Sequence, residues 1–540
     1  MKRAAFIGIL IVASLGLNAC GDSESGTSSA EAESSSTLTE IPGTECENSS
    51  SSELQQYSSE TSATSEIPEI ADTTTRITYT IKPFDGPLAN PHKGFTFPVE
   101  GLWAFMPEIE LGLYENSRNR AWDLITYGSG YQRWSELNPQ KGIYNWTKLD
   151  ALLDALDKHG LGYALRVFPY SQSMGQKNLF TVESDYDWTP SFIYEDDKNA
   201  KGSAKHKYNG TEYTLSVPVW DNPTYLQAAK DFATALAAKY DGDPRIEYID
   251  IRSFGEWGEW HASHLNGSEM PSAEIEKDML DHYASVFKKT LLVLPSSGSG
   301  EVYTYALSKG ITKRDDGFIG TPGRPDSLVR AYKAGLPTIA ENIAAYKTML
   351  NYTDIIPGGY LKWTPERWVS AIKTAHLTYY VLDQDSDYGY KFYTENKALA
   401  DTMTHVIGYN FHITRAELLT VEKSRETSNV LNITVKNSGV APCFFDVYMV
   451  AEFVNGEGQV LEQLGETIHI QKGSFKDGMI RDFTFASDLP SRQTNVAALP
   501  GVSVALSLYE SEEAFKSGKN PTVRFDNEGL QENKKLLLKK

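Results

Sequence analysis

The sequence predicts an α/β protein: a (β/α)8 TIM barrel followed by a small C-terminal β-sandwich. Short β-rich apolar runs alternate with helical patterns through the middle of the chain, as in parallel α/β folds. After about Phe411 the period changes to two, with Leu431, Ile433 and Val435 alternating with polar residues. At 540 residues the chain is too long for one ordinary core. We therefore expect a barrel over 75–411, a sandwich over 412–530 and a basic tail over 531–540.

Eight strand candidates can be counted in the predicted barrel. The clearest unit is a helix with leucines at helical spacing around Leu152, a stop at Gly160 and a strand directly after it. Thr364 and Pro365 similarly predict the start of the helix before the last strand. The span exceeds the about 250 residues typical of such barrels, so insertions are expected, one of them at 171–219. A doubly wound open sheet is the alternative, but its glycine-rich phosphate turn is missing. The strand candidates are 94–98, 124–127, 162–168, 246–251, 291–294, 317–320, 336–340 and 377–382.

The N-terminal region predicts export and anchoring rather than a fold. A short apolar run after two basic residues ends in Leu17-Asn18-Ala19-Cys20, which resembles the bacterial lipobox. The resemblance implies a signal peptide over 1–20 and lipidation of Cys20, with an ordinary cleaved signal or a short uncleaved anchor as alternatives. Residues 21–74 are rich in Ser, Thr and Glu, so we expect a disordered tether. The expected location is the bacterial cell envelope, held to a membrane through Cys20.

Composition narrows the function classes. The formal net charge of -20 argues against a nucleic-acid partner, because phosphate binding needs clustered Lys and Arg. A carbohydrate partner remains compatible, since the many Trp and Tyr rings can stack on sugar faces, although large cores are their commoner use. Two cysteines besides Cys20 lie far apart and indicate no disulfide framework. No phosphate loop, Gly-x-Ser-x-Gly elbow or Cys-His pairing is evident, so no cofactor is expected. The oligomeric state stays open.

Carboxylates directly follow two of the predicted strands. The fourth strand runs into Arg-Ser-Phe-Gly-Glu-Trp-Gly-Glu-Trp-His at 252–261, which contains Glu256 and Glu259, and the seventh runs into Glu341. Active sites of such barrels lie at the C-terminal ends of the strands. Glycoside hydrolysis needs two carboxyl groups flanking the scissile bond, and the chain supplies such a pair. Each carboxylate also has a structural alternative: Glu256 and Glu259 as a solvated pair or as arginine partners, and Glu341 as a helix cap.

Aromatic and basic residues near these strand ends are candidate substrate contacts. Arg166 ends the third strand, where its planar guanidinium can hold a carboxylate or a sugar hydroxyl. Each tryptophan is either a sugar platform or a core residue. His261, with Glu259 and His264, also suggests metal hydrolysis, but the His-x-His pair typical of barrel metallohydrolases is missing, so no metal is expected. The substrate-binding candidates are Arg166, Tyr170, Trp134, Trp257, Trp260, His261 and Trp363, with Trp188 and Trp220 as further candidates beside the insertion.

These motifs resemble clan A glycoside hydrolases. The stretch Tyr131 to Pro139, after the second strand, adds to the likeness of the 252–261 segment. The resemblance implies that Glu256 is the acid/base, with Glu259 as the competing choice, and that Glu341 is the nucleophile of a retaining mechanism on β-linked oligo- or polysaccharides. In most clan A enzymes an Asn precedes the acid/base, whereas Gly255 stands there in this chain.

A closer likeness is to the bacterial domain-of-unknown-function 4832 family. It rests on Asn90-Pro91-His92-Lys93-Gly94-Phe95, on the tryptophan-rich segment at 252–261 and on the trailing sandwich. The family is poorly characterised. A non-catalytic glycan-binding surface lipoprotein, built on a glycosidase-like barrel, is therefore the alternative function.

Overall fold

The computed structural model describes residues 73–96, 124–171, 188–208, 211–295, 300–353, 359–382, 386–423, 426–490 and 495–540. The expected signal peptide, the lipidation site Cys20 and nearly all of the expected tether lie outside these ranges. In the helices that these ranges include, none is both long and apolar enough to cross a membrane.

The middle of the chain is a barrel of eight parallel strands. They are hydrogen-bonded in the order β1-β8-β7-β6-β5-β4-β3-β2. The ring closes between β1 and β2, where Phe95 and Ile125 form a parallel bridge and Thr126 N donates to Phe95 O at 3.1 Å. The predicted TIM barrel is thereby confirmed. The strands are β1 (Gly94–Thr96), β2 (Tyr127–Ser129), β3 (Gly162–Phe168), β4 (Ile246–Asp250), β5 (Leu291–Leu294), β6 (Thr312–Asp315), β7 (Thr338–Glu341) and β8 (Leu377–Val381).

Helices separate the strands as the apolar periodicity predicted. The predicted cap at Thr364 is present, because its Oγ1 accepts a hydrogen bond from Arg367 N at 3.2 Å. The insertion after β3 contributes a two-stranded hairpin, Lys201–Tyr208 paired with Thr211–Pro218. The helices are Trp134–Leu137, Thr147–Asp157, Ser191–Asp196, Pro223–Tyr240, Ala273–Val286, Gly300–Ser308, Arg324–Lys333, Tyr346–Met349, Pro365–Thr374, Ser386–Glu395, Lys397–Thr404 and Glu512–Lys516.

The sixth strand is not where the sequence predicted it. Residues 317–320 form a turn, and β6 is Thr312–Asp315 instead. The prediction was wrong because it required an apolar run, whereas Lys313, Arg314 and Asp315 are charged and nevertheless buried. Arg314 lies in the barrel interior, where carboxylates from β4 and β7 neutralise it.

Two layers of side chains fill the barrel. The lower layer is apolar and contains Tyr127, Tyr248 and Tyr379 with smaller residues around them. Two residues further along their strands, alternate side chains face the interior again. Beyond Tyr248 this next position holds Asp250, and beyond Ile339 it holds Glu341. The upper layer, at the C-terminal ends of the strands, is therefore charged.

The C-terminal region is a two-sheet β-sandwich, as predicted. Its core includes Phe411, Leu431, Val447 and Leu506. One sheet contains Thr73–Thr78, Phe411–Glu422, Glu426–Asn437 and Ile480–Pro490; the other contains Val447–Val454, Val460–Gln463, Ile468–Ile470, Ser503–Tyr509 and Leu536–Leu537.

The sandwich extends past its predicted bounds at both ends. Thr73–Thr78, expected at the junction of tether and barrel, pairs antiparallel with Phe411–Glu422. Leu536–Leu537, expected in a basic tail, pairs with Ser503–Tyr509, and Leu538 is also buried. The tail prediction gave weight to the lysines, whereas burial of the leucines between them stabilises this segment.

Candidate active site

The upper layer of the barrel forms a network of buried ion pairs. Glu341, the last residue of β7, is 4% exposed, and its Oε2 lies 3.0 Å from Arg166 Nη1 and 3.1 Å from Arg314 Nη1. Arg166 and Arg314 come from β3 and β6. Three strands therefore fix the position and direction of one carboxylate, which is the geometry a reacting group needs.

Arg314 is the centre of this network. Its Nη1 also lies 3.1 Å from Asp250 Oδ2, and its Nη2 lies 2.6 Å from Asp316 Oδ2 and 3.4 Å from Glu259 Oε1. One guanidinium thus contacts carboxylates from the ends of β4, β6 and β7 and from the loop after β4. Since each contact shares the same cation, these carboxylates lie close together.

Arg252 completes the network from the loop side. Its Nη2 lies 3.0 Å from Asp250 Oδ2 and its Nη1 lies 3.0 Å from Glu259 Oε1. The ring of Phe168 lies under its guanidinium at 4.9 Å, as the ring of Tyr131 does under Arg166 at 5.0 Å. We name the whole set the charged cluster: Arg166, Asp250, Arg252, Glu259, Arg314, Asp316 and Glu341.

The loop after β4 has a strained backbone. Trp257 and Trp260 have φ values of 51° and 58°, and Gly255 and Gly258 have 79° and 69°. Positive φ is costly for a bulky residue, by about 1–3 kcal/mol, and such strain concentrates at functional sites. A Cβ at position 255 would clash with the backbone of His261. The Asn that precedes the acid/base in most clan A enzymes would therefore not fit at position 255, because the turn leaves no room for a side chain.

Glu256 lies under this loop and is fully buried. Its Oε2 accepts a hydrogen bond from His264 N at 3.0 Å and lies 3.2 Å from Nδ1 of both His261 and His264. Burial raises the pKa of Glu256, but the hydrogen bonds from His261 and His264 outweigh it and lower the pKa to about 2. Glu256 is therefore ionised and organises the loop.

Glu259 reaches the partly exposed side of the cluster, with 19% of its side chain accessible. Burial raises its pKa, but His261, Arg252 and Arg314 together lower it below its usual range. His261 bridges the two glutamates, since its Nε2 lies 3.5 Å from Glu259 Oε2. Burial lowers the pKa of His261, whereas Glu256 and Glu259 raise it to about 9, so His261 is a cation at neutral pH.

Asp316 belongs to the cluster but was not among the sequence candidates. It follows β6 directly, and 11% of its side chain is accessible, whereas Arg314 and Asp250 are fully buried. Placing the sixth strand at 317–320 puts Asp316 before the strand instead of after it. A register signal was available: Gly160, Gly310 and Gly335 each end a helix, and in each case a strand begins two or three residues later.

The structure separates the tryptophan candidates. Trp134, Trp260 and Trp363 are at most 3% exposed and pack in the barrel core, so the prediction that they bind substrate is corrected. Trp260 Nε1 donates to Ile251 O at 2.7 Å, which fixes the indole inside the fold. Their large apolar surface is used for packing between barrel and helices. Trp188 and Trp220, also considered, are buried as well.

Trp257 and Tyr170 remain partly exposed near the cluster. The Trp257 ring lies 5.9 Å from the ring of His261 and 6.0 Å from that of His264. Tyr170 packs edge-on to Trp220 at 6.3 Å. Both residues follow strands at this end of the barrel, and both are partly exposed.

The insertion hairpin supports the loop after β4. His206 Nδ1 lies 3.0 Å from His264 O, and Lys205 forms a bridge with Asn266. Since His264 also contacts Glu256, the hairpin helps to position the strained loop. Among the described residues, no group of three or more His, Cys, Asp or Glu side chains is arranged to hold a metal ion.

Comparisons with known proteins find remote structural likeness. No family model matches the chain, and no curated protein matches it. A GH5_18 protein from Bifidobacterium longum subsp. longum, in complex with Manb1-4GlcNAc, is 12% identical with a TM-score of 0.37, over 57% of this chain and 79% of that one. A beta-galactosidase from the psychrophilic Marinomonas ef1 is 12% identical with a TM-score of 0.34, over 57% and 60% of the chains. The xylanase Xyn30A from Clostridium acetobutylicum, of glycoside hydrolase family 30 subfamily 8, is 10% identical with a TM-score of 0.31, over 75% and 95%.

Proposed function

We propose that the protein is a glycoside hydrolase that cleaves β-linked oligo- or polysaccharides, with Glu341 as the nucleophile of a retaining mechanism. The observation that carries the proposal is the charged cluster, which places four carboxylates against three guanidinium groups at the C-terminal ends of the strands. Glycoside hydrolysis needs one ionised and one protonated carboxyl group beside the scissile bond. A cluster with one carboxylate in excess can hold both forms.

Glu341 suits attack on the anomeric carbon. Arg166 and Arg314 hold its Oε2 in one direction and place two guanidinium groups beside it. A fixed, ionised oxygen is what a covalent glycosyl intermediate requires. Arg166, a candidate sugar ligand from the sequence, acts here by positioning Glu341.

Glu259 is the better partner of Glu341 from the loop after β4. It shares Arg314 with Glu341, whereas the contacts of Glu256 are to His261 and His264. We therefore assign Glu259 to the substrate side of the cluster and Glu256 to positioning of the loop. Trp257, Tyr170 and His261 are the proposed sugar contacts.

The test is hydrolysis of a panel of aryl β-glycosides and plant or algal polysaccharides by the wild-type protein and by Glu341→Gln. We expect Glu341→Gln to lower kcat at least about 10³-fold, because the nucleophile is lost. Glu366→Gln, an exposed glutamate in the first turn of Pro365–Thr374, is the matched control and should leave kcat unchanged. Retention of the anomeric configuration, followed by NMR, would support the covalent route.

The outcomes separate the two candidate functions. Wild-type protein that binds glycans from the panel but hydrolyses none of them would favour the non-catalytic glycan-binding protein. Hydrolysis that survives in Glu341→Gln would contradict the role assigned to Glu341. Inversion at the anomeric carbon would leave Glu341 as a general base instead of a nucleophile.

We also propose that the protein acts in the cell envelope, anchored through Cys20. The support is the lipobox-like tetrapeptide and the Ser/Thr/Glu-rich segment after it. Expression of the full chain in a bacterium with radiolabelled palmitate should label the wild type in the membrane fraction. Cys20→Ser should be unlabelled, and membrane-bound, labelled Cys20→Ser would contradict the anchor.

A further inference from the structure

We infer that Asp316 is the general acid of the proposed hydrolysis, and that it, instead of Glu256 or Glu259, protonates the glycosidic oxygen. The inference rests on the proposed function. It goes further by naming a reacting group outside the pair that the sequence indicated.

The position of Asp316 fits this role. It lies at the end of β6, beside β7, the strand that carries Glu341, and both residues contact Arg314, through Nη2 at 2.6 Å and Nη1 at 3.1 Å respectively. Asp316 is also partly accessible, whereas Asp250, which shares Nη1 of Arg314 with Glu341, is fully buried. Asp316 and Glu341 therefore contact the two terminal nitrogens of one guanidinium, so a substrate that reaches Glu341 lies close to Asp316.

The charge balance of the cluster favours one carboxyl group that keeps its proton. In the described part of the chain, Arg166, Arg252 and Arg314 supply three positive charges, and four carboxylates contact them. His261 does not restore the balance, because it also neutralises Glu256. Burying an uncompensated charge is unfavourable, so the cluster gains free energy by keeping one carboxyl neutral.

Asp316 is the carboxyl best placed to keep that proton. Asp250, Glu259 and Glu341 each contact two arginines, whereas Asp316 contacts Arg314 alone among them. Burial raises the pKa of Asp316, Arg314 and Arg252 lower it, and the charges of Glu259 and Glu341 raise it further, with a net result well above its usual value. Arg314, Arg252, Glu259 and Glu341 are thus the charged groups with the largest effect on this pKa. A neutral carboxyl can still accept from Arg314 with its carbonyl oxygen and donate with its hydroxyl.

The step balances within the cluster. The Asp316 proton moves to the glycosidic oxygen as the C1–O bond breaks, and the bonding pair leaves with that oxygen as the departing alcohol. An oxygen of Glu341 forms a bond to C1. Water then attacks C1, returns a proton to Asp316 and displaces Glu341, so the net reaction is hydrolysis by one water molecule.

The test compares leaving groups. For whichever sugar the wild type hydrolyses, kcat/KM is measured on its 2,4-dinitrophenyl and its methyl β-glycoside with the wild type and Asp316→Asn. Dinitrophenolate needs no proton to leave, so we expect Asp316→Asn to keep kcat/KM on it within about tenfold and to lose about 10²–10⁴-fold on the methyl glycoside. The basic limb of the wild-type pH profile should disappear in Asp316→Asn and move, without disappearing, in Asp316→Glu.

Any other outcome would contradict the assignment of Asp316 as the general acid. Equal losses on both substrates would show a structural role, and equal retention would show that another group donates the proton. Asp315→Asn is the matched control, because Asp315 contacts Lys313, Arg324 and Ser327 instead of Arg314. Thermal unfolding shows whether each variant folds, and if Asp316→Asn does not, an unchanged basic limb in Asp316→Glu would refute the role. Wild type inactive on the whole panel would overturn the proposed function itself.

Discussion

The two ends of the barrel both bury charge, but they arrange it differently. At the N-terminal end, His92 lies between Glu247 and Glu510, at 2.8 Å and 2.9 Å, and Tyr379 Oη donates to Glu247 at 3.0 Å. Burial raises the pKa of Glu510, but His92 and Lys534 lower it below its usual value. At this end, the cations His92 and Lys534 therefore neutralise the carboxylates Glu247 and Glu510.

Within the residues that the structure describes, the charged cluster at the C-terminal end holds one carboxylate more than it has arginines, and the loop above it contains two tryptophans at positive φ. The N-terminal network joins the barrel to the sandwich, since Glu510 follows a sandwich strand. Balanced charge at a domain junction stabilises the fold. Surplus carboxylate and backbone strain lie at the strand ends, where we place the proposed chemistry.

The largest effect is expected from Arg314→Met, which removes the centre of the C-terminal network. It leaves buried carboxylates short of a counter-charge, so we expect the free energy of unfolding to fall by about 3–5 kcal/mol and hydrolysis to be lost. Urea unfolding measures the first quantity. Lys309→Met, which breaks the exposed pair with Asp281 and a contact with the ring of Tyr305, is the control and should cost less than about 1 kcal/mol. Similar losses in both variants would show that the network does not stabilise the fold.

The next comparison sets a core tryptophan against an accessible one. Trp363→Ala should lower the free energy of unfolding by about 3–5 kcal/mol, because the side chain is fully packed between Tyr346, Trp368 and Phe392. Trp257→Ala should raise KM about tenfold with a smaller change in stability, as expected for loss of a stacking surface. Thermal unfolding and steady-state kinetics on both variants provide the check, and a raised KM in Trp363→Ala alone would reverse the assignment.

The sequence predicted most of the barrel because most strands are apolar and alternate with amphipathic helices. It failed at β6, whose Lys313, Arg314 and Asp315 are buried only because strands distant in sequence supply their counter-charges. For the candidate site, the rule that functional residues follow the C-terminal ends of barrel strands located Glu341 and Glu259. It missed Asp316, because the strand that precedes Asp316 was misplaced. Buried and accessible tryptophans look alike in sequence, since both occur beside strand ends.

A substitution that removes a charge but nearly preserves the side-chain shape tests the coupling between carboxyl groups at the C-terminal end of the barrel. Glu259 raises the pKa of Asp316 by its negative charge, so Glu259→Gln should lower that pKa. The group that must stay protonated then loses its proton at lower pH, and the basic limb of the kcat/KM profile should move to lower pH. Glu247→Gln, at the opposite end of the barrel, should not move this limb. A limb unmoved in Glu259→Gln would contradict the coupling.

The smallest effect is expected at the N-terminal end and concerns stability alone. Burial lowers the pKa of His92, but Glu247 and Glu510 outweigh it and leave the pKa well above its usual value. Protonated His92 therefore stabilises the fold fully below about pH 6.5, its unperturbed pKa, and this stabilisation is lost as pH rises through the raised pKa. His92→Gln should thus lower the melting temperature most at about pH 6 and progressively less at alkaline pH. A deficit that grows with pH would contradict the sign, and kcat should not change.

In the proposed mechanism, Glu341 forms a covalent bond to the sugar at the charged end of the barrel. The most direct measurement uses the 2-deoxy-2-fluoro analogue of a hydrolysed aryl glycoside, which slows release of the intermediate, followed by mass spectrometry of the digested protein. We expect one fluorosugar per chain, on the peptide that contains Glu341. A label on Glu259 or Glu256, or time-dependent labelling that persists in Glu341→Gln, would contradict it.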